Sequence, residues 1–527
     1  MLLHDSPRSS VLHLPLLTAF ADAFTVYALD TPGYGQSDPL PAEPTPEIDD
    51  FGDALASTLE ALGLERPAVY AYHTSSKIAL SCALRHPSRI GRLVIDGLSL
   101  PRDPVPTAFI DAYMSPFEVD AEGAYIGRQW TKIRDLHRFF PWFQRTAGQR
   151  VDMDEPDRQA MHAYAMDLFM AGRHYSSAYA AAMRYRALEA LDGLGTPTTF
   201  MARANDVLYP FLDVVESRRP AGTDVERLPA GDASWRARLR QIFATSGGRQ
   251  VAPTPRANAS LPRSYVDIEH RQLHLRSIGE GSRAVLMLHN PPGSGRDVLR
   301  LAERLPGVRV LAPDLPGCAL SDPLGEQAGC EAYARVLAKA MDAVGAERYA
   351  VIGLGLAAPI AVAVAAAQPG RVSRLLLDGM PWLDPWRARD VAPNYAPPVA
   401  LARDGSHFHA TWHRLRDEQL QWPWYDGSAR ARRTVEPDLD GQRLHDRLVA
   451  TLMQPVAYGQ SCRAALRYDL AAGLQGLAMP VAVLDVPGDP CYAGAGRIAG
   501  AARDGRLLAR PAEAAERLRQ LAEFLGA

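Results

Sequence analysis

The sequence predicts an α/β protein of two tandem domains, each a mostly parallel sheet flanked by helices and carrying a helical insertion. Three observations predict it. The 527 residues exceed what one hydrophobic core serves. Short apolar runs such as AVLMLH, VRVLAPD, YAVIGL and RLLLDG alternate with amphipathic stretches such as CEAYARVLAKAMDAVG, the pattern of parallel strands joined by crossover helices. The third observation is an internal repeat, with the same segments recurring in the same order in both halves.

ALDTPGYGQSDPLP, from Ala28, returns as APDLPGCALSDPLG, from Ala312. LEALGLERPAVYAY returns as MDAVGAERYAVIGL, and HPSRIGRLVIDGLSLP as QPGRVSRLLLDGMPWL. Trp130, Arg134, Asp135, Pro141, Trp142 and Phe143 share their spacing with Trp412, Arg416, Asp417, Pro423, Trp424 and Tyr425, at a constant offset of 282. Duplication of a whole domain accounts for this. The expected boundaries are a first domain over 1–246, a linker over 247–261 rich in Pro, Gly, Ser and Asn, and a second domain over 262–527. Before the parallel pattern of the second half, RSYVDIEHRQLHLRSIG alternates as an antiparallel edge hairpin does. The first half has no counterpart to it. Either two strands are lost or the chain starts late at an internal methionine, and an unpaired sheet edge favours the late start.

Composition narrows the functional classes. A net charge of -3 offers no broad basic surface, so no nucleic-acid partner is expected. The five cysteines lack C-x-x-C spacing and fit a reducing cytoplasm, with no metal and no cofactor expected. The uncharged run over 349–367 contains Gly353, Gly355 and Pro359 and reads as a buried strand entering a helix, so no membrane partner is expected. Lys77, Lys132 and Lys339 are the only lysines, a bias that carries no mechanism by itself.

The hairpin, LHNPPGSG, DLPGCALSD and the strand-to-helix passage IGLGLAAPIAV together resemble the α/β-hydrolase fold over nearly the whole second half, and over the first from its third strand onward. The resemblance implies a nucleophile elbow, an oxyanion hole near His289 and Asn290 (His4 in the first half), and caps over about 101–195 and 381–478. It also implies a Ser-His-acid triad in the order nucleophile, acid, histidine.

Neither half keeps that triad. The aligned elbows are Tyr72-His73-Thr74-Ser75-Ser76, which puts Thr74 at the nucleophile place, and Gly353-Leu354-Gly355-Leu356-Ala357, which puts Gly355 there. The acid places hold Asp206 and Asp489, either as catalytic acids or as turn residues accepting backbone hydrogen bonds. No histidine stands between Asp206 and the linker, where Gly231-Asp232 replaces the family's Gly-His, and none follows His445. Without that base a threonine hydroxyl is a poor nucleophile, and losing one triad member costs about 10⁴ in turnover. His73 is expected to turn its ring away from the pocket, and His407, His409 and His413 to serve packing or surface roles.

The candidate ligand contacts are Trp130 and Arg134 in the first cap and Trp412 and Arg416 in the second, with Asp489 and the backbone N–H groups of Asn290 and Leu356. The leading reading is a tandem protein with both triads degenerate that binds a small carbonyl or carboxylate compound beneath its caps. Two alternatives stay open: hydrolysis of an ester, amide or related bond by Thr74 or Ser75 with Asp206, and a non-catalytic scaffold for an active homologue. A small-molecule ligand is the expected partner, and homo-oligomerisation is left open.

Overall fold

In a computed structural model the described residues are 1–151, 154–218, 220–246, 249 and 262–526. Apart from Arg249, the linker expected over 247–261 lies outside them. The chain divides into two compact units, Met1–Glu118 with Arg128–Thr254, and Val119–Gly127 with Pro255–Ala527.

The first unit is built on six parallel strands: β1 (Leu2–Leu3), β2 (Ala28–Leu29), β3 (Ala68–Tyr72), β4 (Arg92–Asp96), β5 (Thr198–Arg203) and β6 (Thr223–Leu228). Their order is β2-β1-β3-β4-β5-β6. The second sheet has eight strands in the order β14-β13-β12-β11-β9-β10-β8-β7. They are β7 (Arg263–Ile268), β8 (Arg271–Ile278), β9 (Arg283–Leu288), β10 (Val308–Pro313), β11 (Tyr349–Leu354), β12 (Val372–Asp378), β13 (Val481–Asp485) and β14 (Gly505–Ala509). β7 and β8 form the antiparallel edge hairpin read from the sequence, and β8 runs antiparallel to β10.

The central strands are covered on both faces, which is why they read as continuous apolar runs. Val351, Ile352, Leu286 and Leu376 are all buried. The uncharged run over 349–367 is β11 followed by the helix Ala358–Ala367. Among the described residues no helix is long and apolar enough to cross a membrane.

Each unit pins the turn after its second parallel strand with an aspartate, half-buried in the first and buried in the second. In the first, Asp30 accepts the N–H groups of Ser10 and Gln36 at 2.7 and 2.8 Å. In the second, Asp314 accepts the N–H of Gly295 at 2.7 Å and pairs with His274 Nδ1 of the edge hairpin at 2.9 Å. Burial opposes the charge of Asp314, but the hydrogen bond and charge of His274 outweigh it and hold its carboxyl below the usual range.

Removing one partner of a buried pair leaves the other unpaired. Asp314→Ala is therefore expected to cost the second unit about 3–5 kcal/mol in denaturant unfolding. Because the folded pKa is depressed, the stabilisation from Asp314 is present above its unfolded value of about 3.9 and is lost as pH falls through the folded one. A wild-type and Asp314→Ala pair that lost stability in parallel through acid would refute that assignment.

Candidate functional site

The elbows follow from strand register. Tyr72 ends β3 opposite Asp96 of β4, and Leu354 ends β11 opposite Asp378 of β12. The next residue in each unit takes a left-handed backbone, His73 at φ 49° and ψ −108° and Gly355 at φ 53°. In the first unit the helix Thr74–Arg85 starts immediately after it, and in the second a short 3-10 turn, Gly355–Ala357, leads into the helix.

The apex of the first elbow is therefore His73, one residue before the Thr74 that the sequence alignment assigned to it. The pair His73 and Gly355 has the offset of 282 already seen in the caps. Thr74 is instead the first residue of the helix. Ser75 is fully buried and committed to structure, its Oγ donating toward the carbonyls of Leu3 and Tyr72 at 3.0 Å and accepting the N–H of Tyr72 at 2.9 Å.

His73 does not turn away. Its Nε2 lies 2.8 Å from Asp206 Oδ2, while Asp206 Oδ1 accepts the N–H of Leu208 at 2.8 Å. The ring crosses Gly97, where a Cβ would lie 2.5 Å from His73 Cδ2. An imidazole rooted at the nucleophile place thus reaches the acid without a third residue. Burial opposes its charge, but the hydrogen bond and charge of Asp206, with Asp5 and Asp96 nearby, prevail and raise its pKa. Nε2–H is then the donor to Asp206, and Nδ1 is the ring nitrogen left without a described partner.

His73 keeps 24% of its side chain exposed. Asp5, Tyr72, Tyr164 and Tyr179 are also only half-buried. Yet burial is the largest influence on the ionisation of every one of them. Groups that keep accessible surface in surroundings this crowded line a recess rather than the open surface.

One wall of that recess comes from the cap, where Tyr164 receives the Arg8 guanidinium at 5.1 Å over its ring and Tyr179 meets Tyr113 with hydroxyls 3.3 Å apart. Arg8 is neutralised by Asp167 at 2.7 Å. Asp5 Oδ1 is buried with no hydrogen-bond partner, and burial, opposed by Arg8, His73 and His4, raises its carboxyl pKa.

The second unit's elbow is closed. Leu356 N–H, expected to point into an oxyanion hole, donates instead to Asn290 Oδ1 at 2.9 Å. A Cβ at position 355 would lie 2.1 Å from that oxygen, so the Asn290 side chain fills the nucleophile's place. Asp489 anchors backbone, accepting the N–H groups of Cys491, Thr434 and Val435 at 2.9, 2.8 and 3.1 Å, with Arg433 at 3.7 Å.

The cap residues singled out from sequence are also relocated. Trp412 is fully buried and packs edge-on against Tyr125. Trp130 is buried too. Arg134 and Arg416 are half-buried, and the enclosed cations on the same two helices are Lys132 and Arg414, two residues earlier on each. Asp135 pairs with Arg145 at 2.7 Å. Among the described residues no cluster of metal-ligating side chains is present.

A model of the alpha/beta hydrolase fold family matches residues 2–212 and 283–484. Over 114 residues the chain is 39% identical to the 2-hydroxy-6-oxononadienedioate/2-hydroxy-6-oxononatrienedioate hydrolase 2 of Pseudomonas putida, a match over 20% of this chain and 40% of that protein. It is 34% identical over 135 residues to lipase LipV of Mycobacterium tuberculosis, over 24% of this chain and 51% of that protein. The chain thus spans about two-fifths to one-half of the length of these relatives. Among solved structures, a hydrolase from Pseudomonas aeruginosa aligns over 51% of this chain and 100% of its own at 21% identity and a TM-score of 0.40. Epoxide hydrolase A from Mycobacterium thermoresistibile aligns over 50% and 98% at 18% identity and a TM-score of 0.41.

The Asn290 plug makes a definite prediction. Gly355→Ser, which rebuilds the sequence of an elbow, should lower the melting temperature of the second unit and confer no esterase activity, because its side chain has nowhere to go. Adding Asn290→Gly should recover most of the lost stability. Full stability of Gly355→Ser alone, read by calorimetry, would show that Asn290 does not hold that space.

Proposed function

Because the chain belongs to the alpha/beta hydrolase fold family and yet presents an imidazole where that family presents its nucleophile, we propose that its first unit binds a small carbonyl or carboxylate compound beneath the cap, without serine-hydrolase chemistry. The observation that carries this reading is the hydrogen bond between the elbow residue His73 and Asp206. It consumes the acid and the base in one contact and leaves no hydroxyl between them. In this reading the second unit, plugged by Asn290, binds nothing at its elbow.

The groups facing the recess of the first unit are suited to an oxygen-bearing ligand. A charged imidazole offers Nδ1–H, Tyr164 offers a hydroxyl, and the N–H groups of Asp5 and Thr74, engaged by no described residue, lie at the oxyanion-hole places of the fold. The P. putida relative is named for an oxo-dienedioate, a compound with both a ketone and carboxylates, which is consistent with that class.

A second reading is favoured by the same contact: His73, once deprotonated, is a base or nucleophile held in place by Asp206. One set of variants separates the readings. On a panel of chromogenic acyl esters, Thr74→Ala and Ser75→Ala are expected to behave as wild type, with no turnover above background. Acetophenone, used as a carbonyl probe in calorimetry, should bind about tenfold to a hundredfold more weakly to His73→Ala, as loss of a hydrogen bond from a charged donor implies. Its affinity should also fall as pH rises through the elevated pKa of His73. Ester turnover abolished by Thr74→Ala or Ser75→Ala would overturn the proposal, and turnover abolished by His73→Ala alone would establish the second reading.

A further inference from the structure

The two caps are built on one frame, and their differences show what the first has lost. Trp142 Nε1 donates to the carbonyl of Tyr113 at 3.0 Å, as Trp424 Nε1 does to that of Tyr395 at 2.8 Å. Lys132 Nζ donates to the Tyr175 hydroxyl at 2.5 Å, as Arg414 does to the Tyr458 hydroxyl at 2.5 Å. Those tyrosines pass the bond on to the carbonyls of Ser115 and Pro397. Both cations also lie over their aromatic partners, Lys132 at 5.3 Å from Trp142 and 4.1 Å from Tyr175, and Arg414 at 5.9 Å from Trp424 and 4.8 Å from Tyr458.

In the second unit this buried cation is neutralised. Glu418, one helical turn after Arg414, holds it at 3.0 Å and holds Arg447 at 2.8 Å, with Arg414 and Glu418 enclosed and Arg447 half-buried. The first unit keeps the cation and has lost its counter-charge. Leu136 stands four residues after Lys132, and counting from the capping aspartates Asp157 and Asp440 puts Tyr164 where Arg447 stands. Lys132 is only 6% exposed and has no ion pair among the described residues. Burial is the one influence on its ionisation and lowers its pKa to about 7. Leu136 is half-buried where Glu418 is enclosed, and the next residue, His137, packs edge-on against Tyr164 at 5.3 Å between ring centroids. The place of the missing carboxylate is therefore beside Tyr164.

We propose that a carboxylate of the bound compound takes the place of the Glu418 side chain and pairs with Lys132, while its carbonyl oxygen is directed to His73. This rests on the binding reading above and deepens it, making the ligand class an oxo acid rather than a neutral ketone or ester. A buried ammonium with no anion is costly, so an anion supplied by the ligand gains more there than at the surface.

The test compares benzoylformate with its neutral analogue benzoylformamide at pH 6, where Lys132 is charged, using calorimetry on the full chain. Wild type is expected to bind benzoylformate at least tenfold more tightly. Leu136→Glu, which restores the internal carboxylate, should abolish that preference and should raise the melting temperature of the ligand-free protein. This variant keeps the proposal falsifiable even if Lys132→Met fails to fold. Equal affinities in wild type, or a preference for benzoylformate that survives Leu136→Glu, would overturn the assignment of Lys132. In either case His73-dependent binding of acetophenone would leave the parent reading standing, whereas its absence would remove both.

Discussion

The backbone at the end of β3 is the constraint from which the rest of the first unit's site follows. A left-handed, non-glycine residue between a strand and a helix costs about 1–3 kcal/mol and persists only where its surroundings over-determine it. Here they do. His73 N–H donates to the carbonyl of Asp96, its own carbonyl accepts from Ser76, and Ser75 ties the following turn to Leu3 and Tyr72. Gly97, at φ 71°, supplies the space over which the ring lies. The second unit meets the same demand with Gly355, for which the conformation carries no side-chain penalty. A turn kept only for folding gains from glycine. Histidine retained at such a cost belongs with a ring that makes contacts, and the contact it makes is with Asp206.

Buried charge separates the two units in the same way. The second fills its interior with matched groups: Arg414, Glu418 and Arg447 in the cap, Arg433 near Asp489 below it, and Asn290 over the Leu356 N–H. Each of these charged groups faces an opposite charge that needs no ligand, although Nε of Arg414 and of Arg433 has no hydrogen-bond partner. In the first unit Tyr164 stands where Arg447 stands in the second, the buried Lys132 and Lys77 have no ion pair among the described residues, and Asp5 lacks a hydrogen-bond partner at one oxygen. Unsatisfied buried polar groups are disfavoured unless something satisfies them.

Much of this was legible in the residues. The α/β class, the duplication, the edge hairpin of β7 and β8, and the loss of the family's histidine after Asp206 follow from periodicity, spacing and residue identity. The elbow's apex is one position before Thr74, a register that the neighbouring hydroxyls of Thr74, Ser75 and Ser76 obscure in the sequence. The offset of 282 shared by the cap residues, carried upstream, pairs His73 with Gly355 and recovers it. The same offset pairs Lys132 with Arg414, which stand out less in the sequence than Arg134 and Arg416 because the repeat does not keep them identical. The Asn290 plug was out of reach, since only the side-chain direction shows that its oxygen meets the Leu356 N–H.

Sharing a fold with hydrolases does not settle the chemistry, because activity resides in the site and not in the scaffold. A triad works because a hydroxyl, a base and an acid stand in sequence, each activating the next. In the first unit the base has moved into the hydroxyl's position, so the proton path is one step shorter and starts on nitrogen. An imidazolium fixed by Asp206 holds a ligand oxygen well and attacks carbon only after losing its proton. Raising the pKa of His73, as its three neighbouring carboxylates do, moves the balance from attack toward holding. On the proposed reading, the electrostatics around His73 favour binding over turnover for the same reason that they keep the dyad intact.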